Sequence, residues 1–323
     1  MTLGVEATDL SMRYARTTAL AGLGFTLAPG RIHGLLGRNG AGKTTLLSVI
    51  AGFLRPCGGQ VLVGGRPVFE NSQVTRHVCL VGESSFLGEP SDRVREVLST
   101  ARSLRRGWDA RYATELVELF DLNTDAKMSE LSRGKRSALI SVVGLAGGAA
   151  LTMFDEPSLG MDAPTRAAFG KALLAEFHRS GRTFVISTHL IEEASPLFEE
   201  VLIIDRGRLL LQEKTAVLRN SGCRVTGPVQ AVESFAAGSR VLGTPQRLGN
   251  TSSVVLYGLS YEQERDRASH AGLELEPAPL QELFIHLTEP TEPTDSNEPT
   301  ESNDVSGTGH EQEPSARGAS SHG

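Results

Sequence analysis

The chain has 323 residues, with 32 Lys plus Arg against 38 Asp plus Glu and a formal charge of −6. Residues 288–323 alone carry eight acidic side chains against Arg317, so that stretch stands at −7 and the remainder at +1. A near-neutral body lacks the basic field with which proteins hold nucleic acid by its phosphates, so no nucleic-acid partner is expected. Three cysteines without a CxxC pair argue against a disulfide framework or a Cys-based zinc site.

In chain order, the start MTLGVEATDL shows no basic segment followed by an apolar run, so no secretory signal is expected. The first two hundred or so residues then alternate short apolar runs with helical patterns, the α/β rhythm of a largely parallel sheet. RIHGLL (31–36), ALTMF (150–154), TFVIS (183–187) and VLIID (201–205) are predicted strands. Three of these lead directly into polar or Gly-rich residues, where open α/β sheets place their ligands. Residues 93–129 read as a helical insert. The uncharged run at 137–154 has the length of a short membrane span. Its glycines at 144, 147 and 148 instead mark a helix, a break and a buried strand. Beyond about residue 216 the order becomes strand, helix, strand, strand, helix, strand, the split βαβ of ferredoxin-like units. Residues 288–323, rich in Pro, Thr, Ser, Glu and Gly without an aromatic, cannot bury enough apolar surface to order themselves and are expected to be disordered.

The strongest motif is GRNGAGKTT at 37–45, between a predicted strand and a predicted helix: Gly37, Arg38, Asn39, Gly40, Ala41, Gly42, Lys43, Thr44 and Thr45. It fits G-x-x-x-x-G-K-[ST] in the strand–loop–helix setting that the phosphate loop requires. The glycines free the backbone to turn successive N–H groups around phosphate oxygens, and the helix start adds its positive end. Lys43 is expected to reach the β- and γ-phosphates, and Thr44 to offer its hydroxyl to Mg²⁺. A second constellation is ALTMFDEP at 150–157. There a buried strand delivers Asp155 to the sheet edge as a metal-binding carboxylate, and Glu156 follows, placed to orient an attacking water.

With these motifs in this order, residues 5–212 resemble the ATP-binding subunit of an ABC transporter. That resemblance implies a P-loop NTPase of ABC type with a helical subdomain at about 88–145. With the change of pattern near residue 216 and the composition of the tail, the expected boundaries are 1–216 for the ATPase domain, 217–287 for a small α+β, ferredoxin-like unit, and 288–323 for the tail. Several residues acquire roles only through the resemblance. Tyr14, in SMRYARTTAL, occupies the place of an aromatic that stacks on adenine. LSRGK (Leu131, Ser132, Arg133, Gly134, Lys135) resembles the family's signature, whose helix end faces the γ-phosphate held by an opposite subunit. In it, Arg133 and Lys135 replace the usual Gly and Gln. SLGMD, ending at Asp162, resembles the loop that crosses the dimer interface, and His189 in STH matches the switch histidine. Where the family carries a Mg²⁺-contacting glutamine, VCLVGESSFL has Glu83.

The resemblance implies ATP and Mg²⁺ as ligands, Glu156 and His189 as catalytic, and Thr44, Glu83 and Asp155 at the metal. It further implies a homodimer or heterodimer of ATPase subunits driving a separate polytopic membrane permease, at the cytoplasmic face of the cell membrane. The segment LELEPAPLQELFIHLT (273–288) is similar to the end of drug- and ion-exporting subunits, which favours export, although a generic amphipathic closing helix has the same pattern. Other readings are a chromosome ATPase, which would need a coiled-coil insert between GRNGAGKTT and LSRGK, and a translation-associated protein, which would need two cassettes. A nucleotide-binding regulatory module without turnover also stays open.

Overall fold

In the computed structural model, which describes residues 2–82 and 88–288, the chain opens with an antiparallel hairpin, β1 (Val5–Tyr14) and β2 (Thr17–Leu27). After β3 (Ile32–Leu36) and α1 (Lys43–Ile50), β4 (Gly58–Val63) and the two-residue β5 (Arg66–Pro67) complete a four-stranded sheet of order β2-β1-β4-β5. This antiparallel sheet is absent from the sequence reading, which takes the whole region as one α/β rhythm. Its period-two signal is broken by register shifts between Ala7 and Arg13, with Asp9 at a left-handed φ of 48°. A bulge reverses the in–out alternation, so the residues no longer read as a strand.

After α2 (Ser72–Thr75), the second sheet gains β6 (Val78–Gly82). The helical insert follows as α3 (Val94–Leu104), α4 (Ala110–Leu119) and α5 (Arg133–Ala146). Next come β7 (Leu151–Asp155), α6 (Ala163–Ser180), β8 (Thr183–Thr188), α7 (Ile191–Ala194), β9 (Glu200–Asp205) and β10 (Arg208–Lys214). The six strands lie in the order β10-β9-β3-β8-β7-β6, parallel except for β10. All five residues of β3, of β7 and all six of β8 are buried. The reason is that both faces are covered. Leu35, Met153, Val185, Leu202 and Ile204 pack toward α1 and the first sheet, while Leu36, Phe154, Ile186 and Ile203 join the core with α5 and α6. Each such side chain contributes roughly 1.5–3 kcal/mol by leaving water. The uncharged run at 137–154 is accordingly the end of α5, a break and β7. Among the described residues no helix is long and apolar enough to cross a membrane.

α8 (Thr215–Asn220) leads to β11 (Gly222–Pro228), α9 (Val229–Ala236), β12 (Arg240–Leu248), β13 (Thr251–Tyr257), α10 (Tyr261–His270) and β14 (Glu274–Pro277). The sheet order is β12-β13-β11-β14 with every neighbour antiparallel, the split βαβ arrangement. One face of this sheet packs with α9 and α10 through Val225, Leu256, Val232, Phe235 and Ala268. The last helix, α11 (Leu280–Thr288), instead joins the main core through Leu280, Leu283 and Phe284, beside Ile191 and Leu218. α11 includes Thr288, whose hydroxyl donates to the Phe284 carbonyl at 2.9 Å, so the helix runs one residue into the stretch read as tail. The disordered tail expected for 289–323 lies outside the described residues.

Candidate functional site

The edge formed by the C-terminal ends of β3, β7 and β8 gathers most of the residues singled out in the sequence. β3 ends at Leu36, and the phosphate-loop motif carries the chain into α1, whose first residue is Lys43. Gly42 caps this helix at φ 104°, and a Cβ there would lie 2.6 Å from the Ala19 carbonyl oxygen. Only glycine lets the loop turn at that point while β2 passes so close. The turn leaves the unpaired amides and the positive end of α1 at the loop, the arrangement that binds anionic groups.

Lys43 is 7% exposed, and its ammonium donates to the Gly37 and Arg38 carbonyls at 2.8 and 3.4 Å. It also stands 3.6 Å from Glu156 Oε1. A phosphate oxygen would compete with these groups for the same cation. Arg38, Asn39 and Gly40 are exposed along the loop, and Thr45 is half-buried. Tyr14 is 44% exposed at the end of β1, in the hairpin whose second strand runs past the loop at Ala19.

Asp155 joins three elements. Its Oδ2 accepts the Thr44 hydroxyl at 2.7 Å, and its Oδ1 accepts the Ser187 hydroxyl at 2.5 Å. The Thr44 and Asp155 oxygens form the hard donor pair that suits Mg²⁺. Among the described residues no group of three or more His, Cys, Asp and Glu could hold a metal ion. A cation here would draw on the Thr44 and Asp155 oxygens, with phosphate and water among its further ligands. Glu83, expected at the same cation, lies outside the described residues.

Glu156 follows Asp155 at φ 50°, a left-handed conformation that costs a non-glycine residue roughly 1–3 kcal/mol. Two hydrogen bonds hold it there: its N–H donates to the Ser187 carbonyl and to the Ser187 hydroxyl, both at 3.1 Å. The strained backbone turns the side chain toward β8, where Oε2 lies 2.7 Å from His189 Nδ1. A carboxylate only accepts, so the imidazole is the donor. Sequence reasoning assigned Ser187 no role, yet it holds both Asp155 and Glu156. The available signal was register, since Ser187 pairs with Asp155 across β7 and β8.

The signature-like segment forms a second constellation. Ser132 caps α5, accepting the Lys135 N–H at 3.2 Å. A Cβ at Gly134 would lie 2.4 Å from the Gly160 carbonyl, and the Ser137 hydroxyl donates to the Leu159 carbonyl at 2.6 Å. The signature helix and the 158–162 loop are thus one packed piece, with Leu131 buried beneath it and Arg133 against Gly160. Lys135 is placed differently from the phosphate-facing role expected of it. Its ammonium donates to the Phe120 and Asp121 carbonyls at 2.9 and 2.6 Å and to Asp121 Oδ2 at 3.1 Å, capping the end of α4. Asp162 caps α6 by accepting the Thr165 N–H at 2.9 Å. Hydrogen bonds from Thr165, side chain first and then backbone, hold its carboxyl below the ordinary value.

Comparisons with known proteins bear on the family and the fold. The family model for ABC transporters matches residues 20–159. Nod factor export ATP-binding protein I of Burkholderia lata is 30% identical over 303 residues, covering 88% of this chain and 96% of that protein. The retinal-specific phospholipid-transporting ATPase ABCA4 of Bos taurus is 33% identical over 210 residues, which is 64% of this chain but 9% of that much longer protein. The chain therefore spans less than a tenth of that relative. Among solved structures, a dimeric post-hydrolysis state of an ATP-binding cassette bound to ADP and Pi superposes with a TM-score of 0.58 at 20% identity, covering 65% of this chain and 98% of that one. At that identity the likeness concerns the fold.

Proposed function

The chain belongs to the ATP-binding subunits of ABC transporters, and from that premise we propose that it hydrolyses ATP at the 37–45 loop to drive a separate membrane permease in export. The observation that carries the reading is the convergence of Thr44, Asp155 and Ser187 with Lys43, Glu156 and His189 at one sheet edge. Phosphoryl transfer to water needs positioning and charge stabilisation more than covalent help from the protein. Mg²⁺, when bound, would neutralise phosphate charge and order the phosphates. The loop amides and the α1 end hold the phosphates, and Lys43 turns from the Gly37 carbonyl and Glu156 toward them. Glu156 then accepts from the attacking water. His189, which contacts the same carboxylate, keeps it aimed and offers its ring to the γ-phosphate. Tyr14 stacks on the adenine. Glu83 enters as a metal ligand on sequence position alone.

The dimer is part of the proposal: LSRGK of one subunit closes the site of the other, as a homodimer or a heterodimer. A structurally similar cassette is dimeric with ADP and Pi bound, which supports this arrangement. Export is supported by the named relatives, among them a Nod factor export protein. The surface that suits a permease is a groove of 580 Å³ between the body and the helical insert. Phe53 and Leu104 stand 67% and 75% exposed along it, apolar side chains that a partner would cover. Such docking would place the chain at the cytoplasmic face of the membrane.

Lys43→Ala tests the site. Loss of one charged hydrogen-bonding group should weaken Mg-ATP binding roughly 10- to 100-fold, measured by equilibrium titration, with phosphate release falling in parallel. Unchanged affinity would remove the assignment of this loop.

A further inference from the structure

His189 leads into a short segment that the buried Ile191 seats on the main core. α7 begins two residues after it and is four residues long. Between α7 and α6 lies a cavity of 390 Å³, lined by Phe169, Gly170, Leu174, Ile186, Leu190 and Leu197. A single helical turn beside a cavity has few internal hydrogen bonds, and from His189 to Glu193 only Ile191 is buried, so polar contacts add to what holds the segment.

Besides Ile191 in the core and the Arg219 guanidinium, which donates to the Ser195 hydroxyl at 3.0 Å, two consecutive carboxylates tether the segment. Glu193 forms a two-point ion pair with Arg166 of α6, with Nη2 2.9 Å from Oε1 and Nε on Oε2. The same guanidinium donates to the Met161 carbonyl at 2.6 Å, so this tether runs to the 158–162 loop. Glu192 reaches the opposite way, where its Oε1 accepts the backbone N–H of Gln281 at 2.8 Å, in the first turn of α11. That amide is among those a helix leaves unpaired at its N-terminus, and a carboxylate there also meets the positive end of the helix. α11 can act as an anchor because Leu280, Leu283 and Phe284 are buried in the main core.

We propose that Glu192 is a positioning residue for the switch histidine, and that α11, through the Gln281 N–H, holds the 189–195 segment where His189 meets Glu156. The C-terminal unit thereby acts on turnover without touching nucleotide. The proposal rests on the reading of His189 as the γ-phosphate contact.

Three variants of the full chain test it. Glu192→Ala removes the acceptor. Gln281→Pro removes the donor from the other side, within the first helical turn where proline is tolerated. Glu192→Gln keeps an oxygen that can accept the same amide. Hydrogen exchange of the 189–195 amides reads the tether without nucleotide. Exchange should quicken roughly tenfold in the first two variants, the size expected for one charge-assisted hydrogen bond, and stay near wild type in Glu192→Gln. In steady-state hydrolysis, kcat should fall by a similar factor in Glu192→Ala and Gln281→Pro while KM for ATP holds, with Glu192→Gln restoring kcat. A generally loosened fold would not produce that split or that rescue. Unchanged exchange and unchanged kcat in both variants overturn the proposal, as does a raised KM at constant kcat. If the wild-type chain hydrolyses no ATP, the functional reading has failed, and the exchange measurement still decides the tether.

Discussion

The nucleotide cradle and the signature region handle their polar side chains in opposite ways. In the cradle, Thr44, Asp155, Ser187, Glu156 and His189 bind one another through side chains, and Lys43 reaches the same network. Partners of that kind can be exchanged for phosphate, metal or water without unravelling any element. In the signature region, Ser132, Lys135 and Asp162 bind backbone groups at helix ends. Taking those side chains away would uncap α5, α4 or α6. One region therefore holds chemistry, and the other holds geometry. In the proposed dimer, the second region would offer an opposing phosphate the amide end of α5, while the Lys135 ammonium is engaged at the end of α4.

The largest effect that tests this contrast is at Glu156. Glu156→Gln should keep the strained backbone, since its two restraining bonds come from the N–H, while removing the carboxylate proposed to orient water. Turnover should fall roughly 10²- to 10⁴-fold, with Mg-ATP binding retained and an ATP-stabilised dimer accumulating by mass action. Phosphate release and sedimentation check the two halves. Monomer alone in the presence of ATP would count against self-pairing through LSRGK.

Gly134 comes next. Its Cβ-less contact with the Gly160 carbonyl locks α5 to the 158–162 loop, so Gly134→Ala must move backbone rather than a flexible side chain. The expected cost is about 1–3 kcal/mol in thermal or denaturant unfolding. Turnover should drop while ATP affinity, set by the cradle, stays the same. Affinity that falls with stability would mean that the two regions are not separable.

How far the site could be read from sequence follows the same division. The 37–45 loop, Asp155 and Glu156 were legible because each closes or follows a buried apolar strand, a context written in consecutive residues, whereas His189 was reached only through the family resemblance. Ser187 was not, because its role comes from register with Asp155 on a strand some thirty residues away. The first sheet was hidden by bulges that break its alternation. The partner of Lys135 was invisible for a third reason: the α4 carbonyls it caps are brought near only when α4 packs back on α5 within the helical insert. The order of the C-terminal strands and helices was readable from short runs. The docking of α11 on α7 through a backbone amide was not, since any residue type can supply that donor except proline.

Lys135 then gives a smaller and more pointed test. Its side chain is 39% exposed, so solvent screening limits what its ion pair with Asp121 contributes. Lys135→Met should lower stability by about 0.5–1 kcal/mol, because the α4 carbonyls lose a capping cation but keep access to water. ATP affinity and the ATP-dependent dimer should be unaffected. A marked loss of dimer at unchanged stability would mean that the ammonium leaves α4 for the opposite phosphate, which would return Lys135 to the chemical side of the comparison.

The smallest effect lies at Asp162, which caps α6 at the edge of the 158–162 loop. Hydrogen bonds from Thr165 place its folded-state pKa below the ordinary value near 3.8. A carboxyl whose pKa is depressed by folding stabilises the native state fully above its unfolded pKa, and that contribution is lost as pH falls through the lowered folded value. At pH 7 the cap is therefore intact, and Asp162→Asn should leave the melting temperature nearly unchanged, since asparagine caps a helix as well as aspartate does. Below about pH 4 the two should diverge, because the wild-type cap titrates and the amide does not, so the variant loses less on acidification. Melting curves from pH 7 down to 3 measure the difference. A large loss of turnover at pH 7 with unchanged melting would mean that the Asp162 charge acts across the dimer rather than on its own helix, and a residue counted here as geometry would have to be counted as chemistry.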